Sequence, residues 1–103
     1  MTRPVIETPE ERINHLEHQL LVNSALYYSL GKSIISDELY DKLSFELAGL
    51  FKKYPKLQSL STYYTYGFQD FVPDSGYYLD YNPFVGQAKW LYKLQERKAR
   101  QKG

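Results

Sequence analysis

Apolar residues recur in steps of three and four along two stretches of the chain, and the spacing predicts two helices. The first opens at Thr8-Pro9-Glu10-Glu11. Thr8 can cap, proline suits the first helical position, and Glu11 completes a capping box. Ile13, Leu16, Leu20 and Tyr27 follow at helical spacing, with Leu21 and Tyr28 on an adjoining stripe. Gly31 supplies a left-handed stop after Leu30. The second helix starts from Ser36 as cap, with Asp37 and Glu38 in a first turn that favours negative charge. Tyr40, Leu43, Leu47, Leu50 and Tyr54 then make the cleanest amphipathic stripe in the chain, with Phe51 beside it. Pro55 is expected to end it. So short a connection predicts an antiparallel hairpin of about residues 9–31 and 36–54.

Residues 56–82 have no such period. Tyr63, Tyr64, Tyr66, Tyr77, Tyr78 and Tyr81 crowd there with Phe68 and Phe71. Thr62–Phe68 fits a strand with Tyr64, Tyr66 and Phe68 on one face, Pro73-Asp74-Ser75-Gly76 fits a turn, and Tyr77–Tyr81 fits a return strand. An ordered aromatic loop packed on the hairpin fits equally well. After Asn82-Pro83 a last helix is expected from about Phe84 to Lys98. Phe84, Ala88, Leu91 and Leu94 would face inward, Trp90 would sit at the boundary, and Ala99–Gly103 would fray. The expected fold class is mainly α: a helical hairpin and a C-terminal helix, with a Tyr-rich loop or small β-hairpin between. Residues 1–103 are read as one domain, 9–57 forming the hairpin and 58–103 the Tyr-rich segment and basic helix.

Composition changes this picture at three points. Aromatic residues make up 17% of the chain, and eleven of them are tyrosines. There is no cysteine, so neither a disulfide nor a thiolate metal site is available. His15 and His18 lack a third ligand at supporting spacing, which reads as two exposed histidines on a polar face rather than a metal site. The start of the chain lacks the apolar core of a signal peptide, and no apolar run approaches the roughly 20 residues of a membrane span. A soluble, cytoplasmic protein is expected. From Lys89 onward the chain carries six basic residues (Lys89, Lys93, Arg97, Lys98, Arg100 and Lys102) against Glu96, a net charge of +5. The first 88 residues carry seven bases and eleven acids, a net charge of −4. The basic end fits a solvated helix terminus that suits the helix dipole, or a phosphate-binding arm.

The predicted hairpin tip gathers candidate chemistry. Asp37 and Asp41, four apart, project from one face of the second helix. Tyr27 and Tyr28 close the first helix across the turn, and Tyr40 lies between the carboxylates in sequence. Paired aromatics make a slot for a flat, cationic ring, and carboxylates accept hydrogen bonds from a ribose diol or a carboxamide NH₂. A nicotinamide riboside has all of these groups. The same residues also fit a plain core, with Tyr27 and Tyr40 buried and Asp37 serving only the dipole.

Tyr27-Tyr28, Ser36-Asp37, Tyr40-Asp41, Leu43, Glu46-Leu47 and Pro55 resemble, without a gap, the pattern of the small N-terminal domain of bacterial NAD-dependent DNA ligases. The similarity covers about residues 11–57. It implies that Tyr27 and Tyr40 pack around the nicotinamide of NAD or NMN. Asp37 and Asp41 would bind its ribose and amide, and Tyr28 would lie near the phosphate. The chain departs from the pattern at Gly31-Lys32-Ser33, where the ligases usually carry an acid and a proline, and Lys32 would stand beside the phosphate. The ligases' nucleotidyltransferase motif, a lysine followed by any residue and then Asp-Gly, does not occur here. Without that lysine there is no nucleophile for AMP transfer, and the chain is expected not to be an enzyme by itself.

Three functions compete at this level. One is a stand-alone, ligase-like module that binds NMN or NAD, or complements a catalytic domain in trans, with a phage or other mobile element as its expected source. A second is an interaction or inhibitor protein whose Tyr-rich surface grips a protein partner such as a host enzyme or defence protein. A third is a nucleic-acid accessory factor using Lys89, Lys93 and Arg97 with tyrosines for stacking. Separately, residues 63–102, which the resemblance does not explain, are the expected surface for a macromolecule, with protein favoured over nucleic acid.

Overall fold

A computed structural model describes residues 7–73 and 79–102. Helix α1 runs Pro9–Leu30. The Thr8 hydroxyl accepts from the Glu11 amide at 3.2 Å, and the Thr8 amide donates to the Glu11 carboxylate at 3.0 Å, the reciprocal box read from the sequence. At the other end Gly31 takes φ 65°, where a side chain would be strained. Its amide and that of Lys32 close on the Tyr27 and Leu26 carbonyls. Helix α2 runs Asp37–Lys53, with the Ser36 hydroxyl accepting from the Leu39 amide at 3.1 Å.

The two helices are antiparallel, and two contacts fix their register. Near the open end Arg12 makes a fork-to-fork pair with Glu46, at 2.7 and 2.8 Å. Near the tip the Ser24 and Tyr40 hydroxyls meet at 2.7 Å. The Arg12 pair holds the Glu46 carboxyl below its usual range. Being partly exposed, it contributes at most about 1 kcal/mol, and its main effect is alignment. Between these contacts the core is apolar: Ile13, Leu16, Leu20, Leu21, Ala25 and Leu26 of α1 pack with Leu47 and Phe51 of α2.

Proline 55 does not simply end the hairpin. Tyr54 leaves the helical region at φ −130°, ψ 68°, as the residue before proline tends to. The chain then restarts a helix, α3, over Pro55–Leu60 with the proline in its first turn. Beyond it, of the two alternatives for Thr62–Phe68, the strand is not formed and the ordered aromatic loop is: the segment runs in turns, with a single 3₁₀ turn at Tyr64–Tyr66 and Gly67 at φ 108°. The reason lies in the ring contacts. Tyr63 and Tyr66, three apart, both pack on Phe84, at 5.8 and 5.5 Å. Phe68 turns instead to Phe71 at 5.4 Å and to Phe51. A turn period satisfies this grouping and an alternating strand does not. An isolated pair of strands would also have no sheet to join, and there is no strand among the described residues. Asp74–Gly76 of the expected turn, and Tyr77 and Tyr78, lie outside the described residues. Tyr63, Tyr64, Tyr66 and Tyr81 are all half-buried.

A 3₁₀ turn at Asn82–Phe84 leads into α4, Val85–Lys102, so the backbone stays helical through most of the stretch expected to fray. Helix α4 packs on the side of α1 away from α2, which is why α1 is buried on more of its circumference than one apolar stripe would give. Phe84 and Ala88 are buried and Leu91 and Leu94 half-buried, but Trp90 is 63% exposed rather than at the boundary. His18, read from the sequence as exposed, is half-buried. Its Nε2 lies 2.8 Å from the Gln87 side-chain oxygen, and its ring packs against Tyr63 and Phe84. His15 does stay exposed, 3.4 Å from Glu7.

The largest surprise inside is Glu17, fully buried in the middle of α1. Its carboxyl lies 2.7 Å from the Ser61 hydroxyl and 3.4 Å from the Tyr63 amide, tying α1 to the start of the Tyr-rich segment. The Ser61 oxygen also lies 2.8 Å from the Gln58 carbonyl. One hydroxyl proton serves both contacts best if Glu17 is protonated, donating to Ser61, which then donates to Gln58. Burial pushes the Glu17 pKa up to about 7, against the opposing effect of its two hydrogen bonds, in keeping with that arrangement.

Candidate functional site

The hairpin tip encloses a cleft of about 340 Å³, within the range of small-molecule sites. All five residues singled out from the sequence line it: Tyr27 and Tyr28 from the end of α1, and Asp37, Tyr40 and Asp41 from the start of α2. The sharp stop at Gly31 and the Ser36 cap bring these two helix ends together. Asn23, Ser24, Ser33, Ile35, Ser36 and Pro73 complete the lining.

Tyr27 and Tyr28 are not core residues, whereas Tyr40 packs against the edge of the core. Tyr27 is 57% and Tyr28 45% exposed, and their rings meet edge-on at 5.0 Å. Tyr40 is half-buried, with its hydroxyl directed inward to Ser24. Burial raises the Tyr40 phenol, outweighing the Ser24 bond, and Tyr28 and Asp41 nearby push the same way. Tyr28 is likewise raised, first by its partial burial and then by Tyr27 and Tyr81. Both phenols therefore remain neutral hydrogen-bonding groups near pH 7. Asp37 and Asp41 are exposed at the mouth. Among the described residues no lysine or arginine lines the cleft. The Lys32 ammonium, expected beside the phosphate, lies over the Tyr92 ring of α4 at 5.6 Å from its centroid.

An aromatic wall with two carboxylates and no cation suits a flat, positively charged ring bearing hydroxyl or amide donors. Among the described residues no group of three His, Cys, Asp or Glu side chains stands close enough to hold a metal ion, and no helix is long and apolar enough to cross a membrane.

Several contributors were missed in the sequence. Asn23 and Ser24 stand four residues before Tyr27 and Tyr28, one helical turn back on the same faces, and that spacing was a usable signal. Asn23 donates to the Gln19 carbonyl at 2.8 Å, leaving its own side-chain oxygen unpartnered. Pro73 and Tyr81 had no local signal, because only the tertiary fold brings them to the tip. The Tyr81 ring stacks on Tyr28 at 5.7 Å with 22° between planes.

The structure defines a helical-hairpin domain with an aromatic, acidic cleft at its tip. The chain belongs to the family of DNA ligase-like, N-terminal NAD+-binding domains, whose model matches residues 6–61, more than half of its length. It is 45% identical over 51 residues to a DNA ligase of Pseudothermotoga lettingae. To a DNA ligase of Petrotoga mobilis it is 44% identical over 50 residues. These stretches are 50% and 48% of this chain but only 8% of each ligase. No solved structure matches the chain. The family match stops at α3, so the Tyr-rich segment and α4 lie outside it.

Proposed function

We propose that the cleft binds the nicotinamide mononucleotide end of NAD, or NMN itself, and that these 103 residues bind without transferring AMP. The observation that carries the reading is the convergence of Tyr27, Tyr28, Asp37, Tyr40 and Asp41 on one cavity at the hairpin tip. In this reading Tyr27 and Tyr40 hold the cationic ring, Asp37 and Asp41 accept from the ribose hydroxyls and the carboxamide, and Tyr28 lies towards the phosphate. Lys32 is engaged with Tyr92, so the cationic ring rather than the phosphate is the main electrostatic anchor. A stand-alone, phage-borne cytoplasmic module goes with this reading, acting as a nucleotide binder or by complementing a ligase catalytic domain in trans. A protein-gripping role for the tyrosines has less behind it, since the four described ones in the segment are half-buried against the core.

Calorimetric titration with NMN and NAD tests the proposal. Saturable heat with both ligands is expected, and no heat at millimolar ligand would leave the cleft as inherited scaffold. The same protein incubated with labelled NAD should carry no acid-labile AMP, and a covalent adenylate would overturn the non-catalytic half of the reading.

Tyr81 should matter to this site although it lies outside the family match. By stacking on Tyr28 it holds that ring in place before ligand arrives. Such a pair contributes about 0.5–1.5 kcal/mol beyond area burial, so Tyr81→Ala should weaken NMN binding roughly 2- to 10-fold, while Tyr81→Phe should leave it unchanged. Equal affinities for all three proteins would show that Tyr28 needs no support.

A further inference from the structure

Helix α4 turns two different faces to its surroundings. Its inner face, with Ala88, Leu91 and Tyr92, packs into the core and beside it. On the opposite face Trp90, Lys93 and Arg97 follow one another at i, i+3 and i+7 and form one stripe, with Lys89 a turn before Lys93. All four are exposed, and Trp90 at 63% leaves most of an indole in water. Among the described residues none of the three cations is paired with a carboxylate. The core does not need this tryptophan, and the hairpin cleft does not use it.

We propose that the outward face of α4 binds single-stranded nucleic acid, with Trp90 stacking on an unpaired base and Lys89, Lys93 and Arg97 contacting phosphates. Three arguments select this partner. The three cations step along the helix at intervals of four residues, roughly 6 Å each, and so present a row of charge to an extended polyanion. An exposed indole within that row offers a π-face that any base can stack on, which is how strand binding without sequence preference is built. A duplex would leave the indole unused, because its bases are already stacked. An anionic lipid surface fits less well: an interfacial helix needs a wide apolar face to embed, and the apolar face of α4 is spent on the core. The stretch from Lys89 onward has a net charge of +5 in a chain of +1 overall, so the attraction is local to this helix.

Trp90 is the sole tryptophan in the chain, so its fluorescence reports this site directly. Titration with a thymidine oligonucleotide should quench it, and anisotropy of the labelled oligonucleotide should give the same affinity. The logarithm of the binding constant should fall with the logarithm of salt concentration at a slope of about −2, for three phosphates neutralised on a single strand. The Lys93→Ala, Arg97→Ala double variant should lower that slope by roughly 1.4. Trp90→Ala should weaken binding roughly 5- to 150-fold, and Trp90→Phe should recover part of the loss. Circular dichroism should show both Trp90 variants folded, since the side chain is outside the core. The proposal is overturned by an absence of quenching, by unchanged affinity in Trp90→Ala, or by a slope that the double variant leaves alone. An emission shift with phosphatidylserine vesicles but none with the oligonucleotide would equally overturn it and assign the face to a membrane surface.

Discussion

Glu17→Gln should stabilise the protein by about 3 kcal/mol at pH 8 and by less than about 1 kcal/mol at pH 5. The sign follows from the direction of the shift. Burial raises the Glu17 pKa from 4.5 to about 7, so the folded state holds the proton more tightly than the unfolded chain does. The neutral carboxyl's contribution is complete below pH 4.5 and is lost progressively as pH rises to about 7. At pH 8 the wild type must either keep a charge in a fully buried position or carry the cost of opening the site. Glutamine stays neutral throughout. Its NH₂ can donate to Ser61 and its oxygen can accept from the Tyr63 amide, the two partners that Glu17 has now. Urea denaturation of both proteins from pH 5 to 8 measures the difference. Other groups cancel in that comparison, including Glu11 and Glu46, whose lowered pKa values make them stabilising above pH 4.5 and less so on acidification. Parallel stability curves would mean that Glu17 does not titrate in this range. Glu17→Ala should be worse than either protein, because it leaves the Tyr63 amide and a cavity behind.

Asp41→Ala should have the largest effect on ligand binding. A hydrogen bond to a charged group contributes about 1.5–3 kcal/mol, so its loss should weaken NMN binding roughly 10- to 150-fold. Asp41 is exposed on the second turn of α2, away from the core, so stability should move by less than about 0.5 kcal/mol. That contrast separates a binding role from a structural one. Calorimetry with NMN and urea denaturation on the same preparation give the two numbers. Should binding survive while stability falls, Asp41 belongs to the scaffold and the ligand sits elsewhere.

The hairpin and its tip were legible because their determinants are local. Thr8, Pro9 and Glu11 start α1 through contacts spanning three residues, and Gly31 ends it through its own φ. Asp37 and Asp41 share a helix face by spacing alone, and Tyr27, Tyr28 and Tyr40 flank the same turn. A cleft built from two helix ends joined by six residues therefore needs little beyond the helices themselves. The Tyr-rich segment was illegible for the opposite reason. Its aromatic alternation fits a strand locally, and only contacts with Phe84 and Phe51, distant in the chain, select turns instead.

The sequence by itself determined α1, α2 and α4, the caps of the first two, the antiparallel hairpin and five of the residues that line its tip, since each depends on groups within about one helical turn. The helix that restarts at Pro55 was not among them. Only the tertiary structure decided which sides of α1 are covered, because α4 arrives from more than fifty residues away. Ser61 and Tyr63 of the Tyr-rich segment bond Glu17 in the interior, and α4 half-buries His18 beside Gln87 while its own Trp90 faces out. The same helix also brings Tyr92 over Lys32, removing from the cleft a cation that the sequence would have left there. Burial, pKa and the choice between core and surface depend on what packs from a distance, and no local pattern encodes them.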